Sequence, residues 1–400
     1  MSAFRVGLFT ECYRPIQNGI VASLDALACA LRGSERDYAL VTPAMPNFRD
    51  DDARVIRVPS LPLPTRTAYR LTVPYLSRSL DDVSIVHAHS PFVTGWLGAR
   101  FARRARVPLV FTYHTQLEAY AHYVPFQRDA TCRAVSRLTR AYANGADAVI
   151  VPTHAMESHL RALGVTSRIE IVPSGIDCAR FARGVRRDDL RARFGAAAHE
   201  RLVIIVGRLG REKNVDLALE VFARLGDTRA RLAIVGDGTH RVELERACVR
   251  LGIASRVCFA GEFAREDLPD VYASADAFIF TSRTETQGLV LVEALASGVP
   301  IVAIDTPATV DVLGGLGTLV SGDVAAFAAA LGDVLDSGRF ALRRSRDVSV
   351  RFDGDRLGAR VIALYDELID AGSRAQQSRL DPRPLLRTPL RIDIEHTFDV

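Results

Sequence analysis

Leu202-Val203-Ile204-Ile205-Val206-Gly207-Arg208-Leu209-Gly210-Arg211-Glu212-Lys213-Asn214 decides the fold: five apolar residues, a glycine turn and then spaced cations. A run this short and this rich in Val and Ile reads as a buried strand, Leu202–Val206, and the pattern that follows it, Val215–Leu225, reads as a helix. Strand, turn and helix in that order form the unit from which parallel sheets are built. The same stretch holds Lys213, the sole lysine among 51 basic residues, the rest being arginine. An ammonium is a compact point charge that approaches a phosphate closely, whereas the guanidinium fork is larger and more demanding in geometry. Chance would place a surviving lysine at any basic position; this one falls in the turn behind a strand. Arg208 and Lys213 are therefore candidates for a diphosphate grip.

The alternation extends in both directions. Before it come predicted strands at Arg5–Phe9, Tyr38–Val41, Val55–Val58, Ile85–His87, Leu109–Thr112, Ala148–Val151 and Glu170–Val172. After a polar, Arg-rich interval the pattern restarts at Leu202 and continues with Arg231–Val235, Val257–Ala260, Ala277–Thr281 and Ile301–Ala303. Helical stretches such as Val21–Leu31 and Leu244–Leu251 lie between. The expected class is α/β, with two Rossmann-like domains whose parallel sheets face a central cleft, joined around Ile176–Ala198. Residues 1–180 form the first domain and 199–352 the second. A late helix, Arg356–Ile369, with Asp353 and Asp355 as candidate caps, crosses back to the first domain within 353–372. The tail, 373–400, is rich in Arg, Pro and Ser and reads as a flexible extension with a final strand at Leu390–Ile394. Ligands of open parallel sheets bind beyond the carboxyl ends of the strands, which directs attention to the cleft.

Composition bounds the rest. With 48% hydrophobic and 24% charged residues the chain has the balance of a soluble globular protein. No apolar run approaches the ~20 residues that span a bilayer. The six cysteines, Cys12, Cys29, Cys132, Cys178, Cys248 and Cys258, form no C-x-x-C pair, so neither a zinc site nor a disulfide framework is expected and the cytoplasm is the expected compartment. The net charge of +4 is uneven: residues 100–140 hold eight arginines against two acids. On helical spacing Arg100, Arg103 and Arg104 share one face opposite Leu97 and Phe101, and Arg133, Arg137 and Arg140 form a second stripe opposite Val135, Leu138 and Tyr142. Such stripes suit an anionic membrane surface, but helices that cover a sheet show the same two faces. No aromatic residues interleave with these arginines, so a nucleic-acid partner is not expected.

The second constellation is Thr284-Glu285-Thr286-Gln287-Gly288-Leu289-Val290-Leu291-Val292-Glu293-Ala294-Leu295-Ala296-Ser297-Gly298-Val299-Pro300. Gly288 opens a helix that stops at Gly298. Its amino terminus offers free N–H groups and a partial positive charge, a seat for phosphate. Glu285 precedes the helix and Glu293 falls in its second turn. Each carboxylate alone reads as a surface charge; flanking a phosphate seat, they suit a ligand that also presents sugar hydroxyls.

These residues carry a resemblance. The chain resembles the retaining nucleotide-sugar glycosyltransferases of family 4, which have the GT-B fold, through Asn18-Gly19, the segment Ile171–Asp177, Gly207–Asn214, Gly236-Asp237-Gly238 and the E-x7-E spacing from Glu285 to Glu293. The resemblance implies that Arg208 and Lys213 grip the diphosphate at the Gly288-Leu289 helix start. It also implies that Glu293 binds ribose hydroxyls, that Glu285 faces the transferred sugar, and that Gly19 lets the opposite domain approach the diphosphate. Thr112–Pro125 and the wording Thr284–Gly288 are similar to bacterial diacylglycerol glucosyltransferases, although Glu11 stands where that subgroup is expected to carry Asp. His114, following the strand Leu109–Thr112, is a candidate sugar contact; His87 and His89, at another strand end, are weaker ones.

The resulting expectation is a metal-independent hexosyltransferase with no cofactor. Its donor is UDP-glucose or another nucleoside-diphosphate hexose, and its acceptor a lipid hydroxyl such as that of 1,2-diacylglycerol. It is expected in the cytoplasm, peripheral on the inner face of the membrane. A GDP-mannose-dependent transferase acting on phosphatidylinositol or a glycan is the alternative, and a non-catalytic nucleotide- or nucleic-acid-binding protein is an alternative of another class.

Overall fold

The strands of the amino-terminal half form one parallel sheet of seven. From edge to edge the order is Val55–Val58, Asp37–Pro43, Arg5–Phe9, Val83–Ala88, Leu109–Thr112, Ala148–Val151 and Ile169–Ile171. This computed structural model describes residues 4–63, 69–76, 80, 82–123, 127–337 and 345–371. A second parallel sheet has six strands in the order Val257–Gly261, Ala230–Val235, Arg201–Val206, Ala277–Phe280, Ile301–Ile304 and Thr318–Val320. In each sheet the strand order turns about the first strand in sequence, Arg5–Phe9 or Arg201–Val206, so the switch point of both lies at that strand's carboxyl end. The two sheets are two Rossmann-like domains.

The central strands are apolar at consecutive positions because both faces are covered. In the first domain, Val6, Leu8 and Ile85 pack under the helices Gly19–Gly33 and Gly354–Asp370. Phe9, Val86 and Phe111 pack on the other face with Ala99, Tyr142 and Leu160 from three further helices. The second sheet is sandwiched in the same way. Helix Gly19–Gly33 shows why the sequence pattern works: the Asn18 side chain accepts a hydrogen bond from Val21 N at 3.0 Å, and Val21, Leu24, Ala28 and Leu31 turn inward at intervals of three and four.

Two passages of the chain join the domains, and they lie side by side. Ile176 N donates to Phe352 O at 3.0 Å, and Gly354 N donates to Ile176 O at 2.9 Å. Beyond this crossing, helix Gly354–Asp370 runs back over the first domain, capped by Asp353, with Asp355 in its first turn instead of at the cap. A Cβ on Gly358 would lie 2.2 Å from that of Ala30, so this helix and Gly19–Gly33 nearly touch backbone to backbone.

Every strand predicted within the described residues is present: four keep their predicted bounds, six are longer by one to three residues, Glu170–Val172 is shifted by one to Ile169–Ile171, and Ala277–Thr281 ends one residue early at Phe280. The antiparallel pair Ser60–Pro62 and Arg70–Thr72 and the edge strand Thr318–Val320 were not predicted. Arg100 and Arg104 are exposed while Leu97 and Phe101 pack inward; Arg133, Arg137 and Arg140 are exposed opposite buried Tyr142. All six cysteines are free thiols. Among the described residues no helix is long and apolar enough to cross a membrane. The predicted tail and its strand Leu390–Ile394 lie outside the described residues.

Candidate functional site

The turn after Arg201–Val206 is held by its neighbours. Asn214 adopts a left-handed conformation that starts helix Val215–Arg224, and its side-chain amide donates to Thr281 O at 3.2 Å. Thr281 Oγ1 donates to Lys213 O at 3.3 Å and Ser282 Oγ to Glu212 O at 3.3 Å. These bonds stitch the loop Gly210–Asn214 to the loop that follows strand Ala277–Phe280. Gly236 lets the adjoining turn approach, because a Cβ there would stand 2.0 Å from Gly207 O.

The stitching brings Lys213 to Glu285, and the two side chains form an ion pair. Lys213 is one-quarter exposed and Glu285 about one-sixth, so one end of the pair remains accessible. Burial acts to lower the Lys213 pKa, but Glu285, with Tyr120 and Glu212, outweighs it and the pKa is raised. Lys213 is an ammonium at neutral pH. Arg208 binds Glu212 at 2.5 Å, and the Glu212 side chain is almost wholly buried. Arg208 and Lys213 are thus each paired with a carboxylate, Glu212 and Glu285. Lys213 has three N–H donors, of which Glu285 Oε1 accepts one.

Gly288, at φ 75°, turns the chain into helix Leu289–Ser297, whose amino terminus opens beside Glu285. From the other domain, Gly19 faces the same place: a Cβ on it would meet Leu289 Cδ1 at 3.6 Å, an ordinary contact distance. Two helix amino termini, those of Gly19–Gly33 and Leu289–Ser297, therefore converge on one point of the cleft. Among the described residues no group of three His, Cys, Asp or Glu could hold a metal ion.

Glu293 lies in the second turn of helix Leu289–Ser297. It is buried, accepts a hydrogen bond from Tyr272 Oη at 2.9 Å, and is pushed up to about 7 by burial, which Tyr272 and Arg265 partly offset. A carboxyl so placed sits between its protonated and charged forms at neutral pH.

His114 marks the seam between the domains. Its backbone carbonyl accepts from Thr286 Oγ1 at 2.8 Å, while Thr153 Oγ1 donates to Thr286 O at 2.9 Å. Gln287 makes paired bonds to Ser174 N and O at 2.8 and 3.0 Å. The His114 ring is bonded to His89, and His87 is bonded to Tyr365 and Thr112. Burial lowers His114 to about 4 and His87 to about 3, so these rings are neutral. A cavity of about 40 Å³ adjoins His87 and His89.

The structure thus brings together Arg208, Lys213, Glu285, Gly288, Leu289 and Gly19, with Glu293 farther along the helix and the His114 carbonyl bonded to Thr286. Sequence reasoning missed Glu212, Gln287, Ser174 and Tyr272 as partners of this site. Gln287 and Ser174 lie inside the two quoted motifs, so a polar residue next to a motif glycine was an available signal. Tyr272 carries none, since it reaches Glu293 only through packing. The Glu11 carboxylate accepts from Thr72 Oγ1 and from Thr94 N at the start of helix Val93–Ala105.

Two facing Rossmann-like domains with such a cleft define the GT-B architecture. Residues 186–347 match the family described as Glycosyl transferases group 1, and residues 17–180 match Glycosyltransferase Family 4. The alpha-monoglucosyldiacylglycerol synthase of Streptococcus pneumoniae is 30% identical over 315 residues, 76% of this chain and 71% of that protein. The GDP-mannose-dependent alpha-mannosyltransferase of Mycobacterium tuberculosis is 34% identical over 317 residues, 76% of this chain and 80% of that protein. Among solved structures, Anabaena HepE in complex with UDP and glucose has a TM-score of 0.69 at 19% identity, covering 92% of this chain and all of that one. The chain belongs to the glycosyltransferases, with a Family 4 amino-terminal half and a group 1 carboxyl-terminal half.

Proposed function

We propose that this protein transfers a hexose, with retention of configuration, from a nucleoside diphosphate to the hydroxyl of a lipid such as 1,2-diacylglycerol. The observation that carries the reading is the Lys213–Glu285 pair at the amino terminus of Leu289–Ser297, opposite Gly19. In this reading the diphosphate lies between the two helix starts, where Lys213, Arg208 and the helix dipoles stabilise the charge that develops as it leaves, with no metal ion required. Glu293 accepts bonds from the ribose, and His114 and Glu285 contact the hexose. The acceptor attacks from the face the leaving group departs, and a phosphate oxygen takes its proton. The engagement of Glu285 by Lys213 argues against a free carboxylate nucleophile.

The lipid acceptor draws support from the name of the pneumococcal relative, from the Thr112–Pro125 wording, and from the exposed stripe Arg133, Arg137 and Arg140. The protein would then work at the inner face of the cytoplasmic membrane. The mycobacterial relative, at 34% identity, favours a second reading with GDP-mannose as donor. A donor panel separates them: nucleoside diphosphate release is measured with UDP-glucose, UDP-galactose and GDP-mannose, with and without diacylglycerol vesicles. Release from UDP-glucose that rises with diacylglycerol supports the first reading; release from GDP-mannose alone replaces it with the second.

A further inference from the structure

Three histidines stand in a row at the carboxyl ends of Val83–Ala88 and Leu109–Thr112. The His87 and His89 ring centroids are 4.1 Å apart, and those of His89 and His114 are 5.1 Å apart with the planes within 19° of parallel. His87 is fully engaged, Nδ1 by Tyr365 Oη and Nε2 by Thr112 Oγ1. His89 Nδ1 lies 2.8 Å from His114 Nε2. No protein group among the described residues bonds the buried Nε2 of His89.

We propose that His89 is a positioning residue that fixes the tautomer of His114, so that His114 offers its Nδ1–H as a donor to a hydroxyl oxygen of the bound hexose. The inference rests on the reading of His114 as a sugar contact. A neutral imidazole carries one proton, and the contact between the two rings needs one donor and one acceptor. If the His89 proton sat on Nε2, a buried N–H would lack a protein acceptor, which is the costly kind of unmade bond. On Nδ1 the same proton is used, in a bond to His114 Nε2. That leaves the His114 proton on Nδ1, the nitrogen not committed to His89. Burial keeps both rings neutral, so neither becomes a double donor that would break the bond. A hydroxyl accepts such a bond readily, and a neighbouring group that sets which ring nitrogen is protonated is a common device where an imidazole must act in one sense only.

The test is a long-range proton–nitrogen correlation spectrum of the full chain labelled with ¹⁵N-histidine. Both His89 and His114 are expected as neutral rings protonated on Nδ1; His114 protonated on Nε2 overturns the inference. His89→Ala is expected to give a mixture of His114 tautomers and to lower kcat with UDP-glucose about tenfold, the worth of one oriented hydrogen bond, with KM changed less than about twofold. His89→Asn, whose amide nitrogen takes the place of Nδ1, is expected to restore most of the rate. Equal impairment of both variants, or a wild-type rate in His89→Ala, assigns His89 to packing alone. If no donor supports transfer, the spectrum still decides the tautomer, so failure of this inference and failure of the functional reading are distinguishable.

Discussion

Replacing Lys213 tests whether the turn serves charge at the diphosphate or merely holds itself together. Lys213 and Glu285 are both only partly buried, so losing their pair costs the fold about 1 kcal/mol, between the values for surface pairs and buried ones. The bonds across this turn that use the backbone carbonyls of Glu212 and Lys213 survive the change. Chemistry should suffer more. A charged contact that strengthens as the leaving group departs is worth about 3 kcal/mol, so Lys213→Ala should lower kcat roughly a hundredfold or more. Lys213→Arg keeps the charge but spreads it over a fork that fits the Glu285 carboxylate side-on. Its donors then no longer converge on one point, and kcat should fall about tenfold with little change in melting temperature. Steady-state release of nucleoside diphosphate, measured alongside thermal unfolding, reads both quantities. A Lys213→Arg enzyme with wild-type kcat would refute the requirement for an ammonium. An unimpaired Lys213→Ala enzyme would remove Lys213 from the mechanism.

Other consequences are open to measurement. Burial raises Glu293 from 4.5 to about 7, so its contribution to stability is complete below about pH 4.5 and is lost as the pH rises through about 7. The loss is about 3 kcal/mol across that window, and urea unfolding between pH 5 and 8 should show it in the wild type and not in Glu293→Gln. If the Glu293 carboxylate receives the ribose, nucleoside diphosphate should bind more tightly as the pH rises through the same range, again not in Glu293→Gln. Changing Arg133, Arg137 and Arg140 together to Gln should weaken flotation with anionic vesicles, and salt should weaken it in the wild type; equal binding to neutral vesicles would make these arginines an ordinary solvated face. Gly358→Ala forces a Cβ against Ala30 and should destabilise the protein by about 1–3 kcal/mol, read as a lower denaturant midpoint.

What was legible in the sequence follows from how far each signal reaches along the chain. The parallel strands are buried on both faces, so runs such as Leu202–Val206 announce themselves without help from their neighbours. Helix Gly19–Gly33 carries its cap and its apolar spacing within one stretch. The pair Ser60–Pro62 and Arg70–Thr72 is three residues a side, includes a proline, and exposes Leu61 and Leu71 on one face, so no burial pattern marks it. Thr318–Val320 is an edge strand of three residues. At the site, the residue types were legible and their partners were not. Lys213 stood out by its identity, but its pairing with Glu285 spans 72 positions and depends on two loops being laced together. The pairing of Glu293 with Tyr272 and of His89 with His114 likewise exists only once helices and strands have packed.

The central claim is transfer to a lipid, and the most direct measurement is product formation from UDP-glucose and 1,2-diacylglycerol in anionic vesicles, in the presence of EDTA. The account predicts a glucosyl diacylglycerol with the α configuration of the donor, formed at the same rate with and without the chelator. A β-linked product, a rate abolished by EDTA and restored by Mg²⁺, or transfer only to a soluble glycan would contradict it.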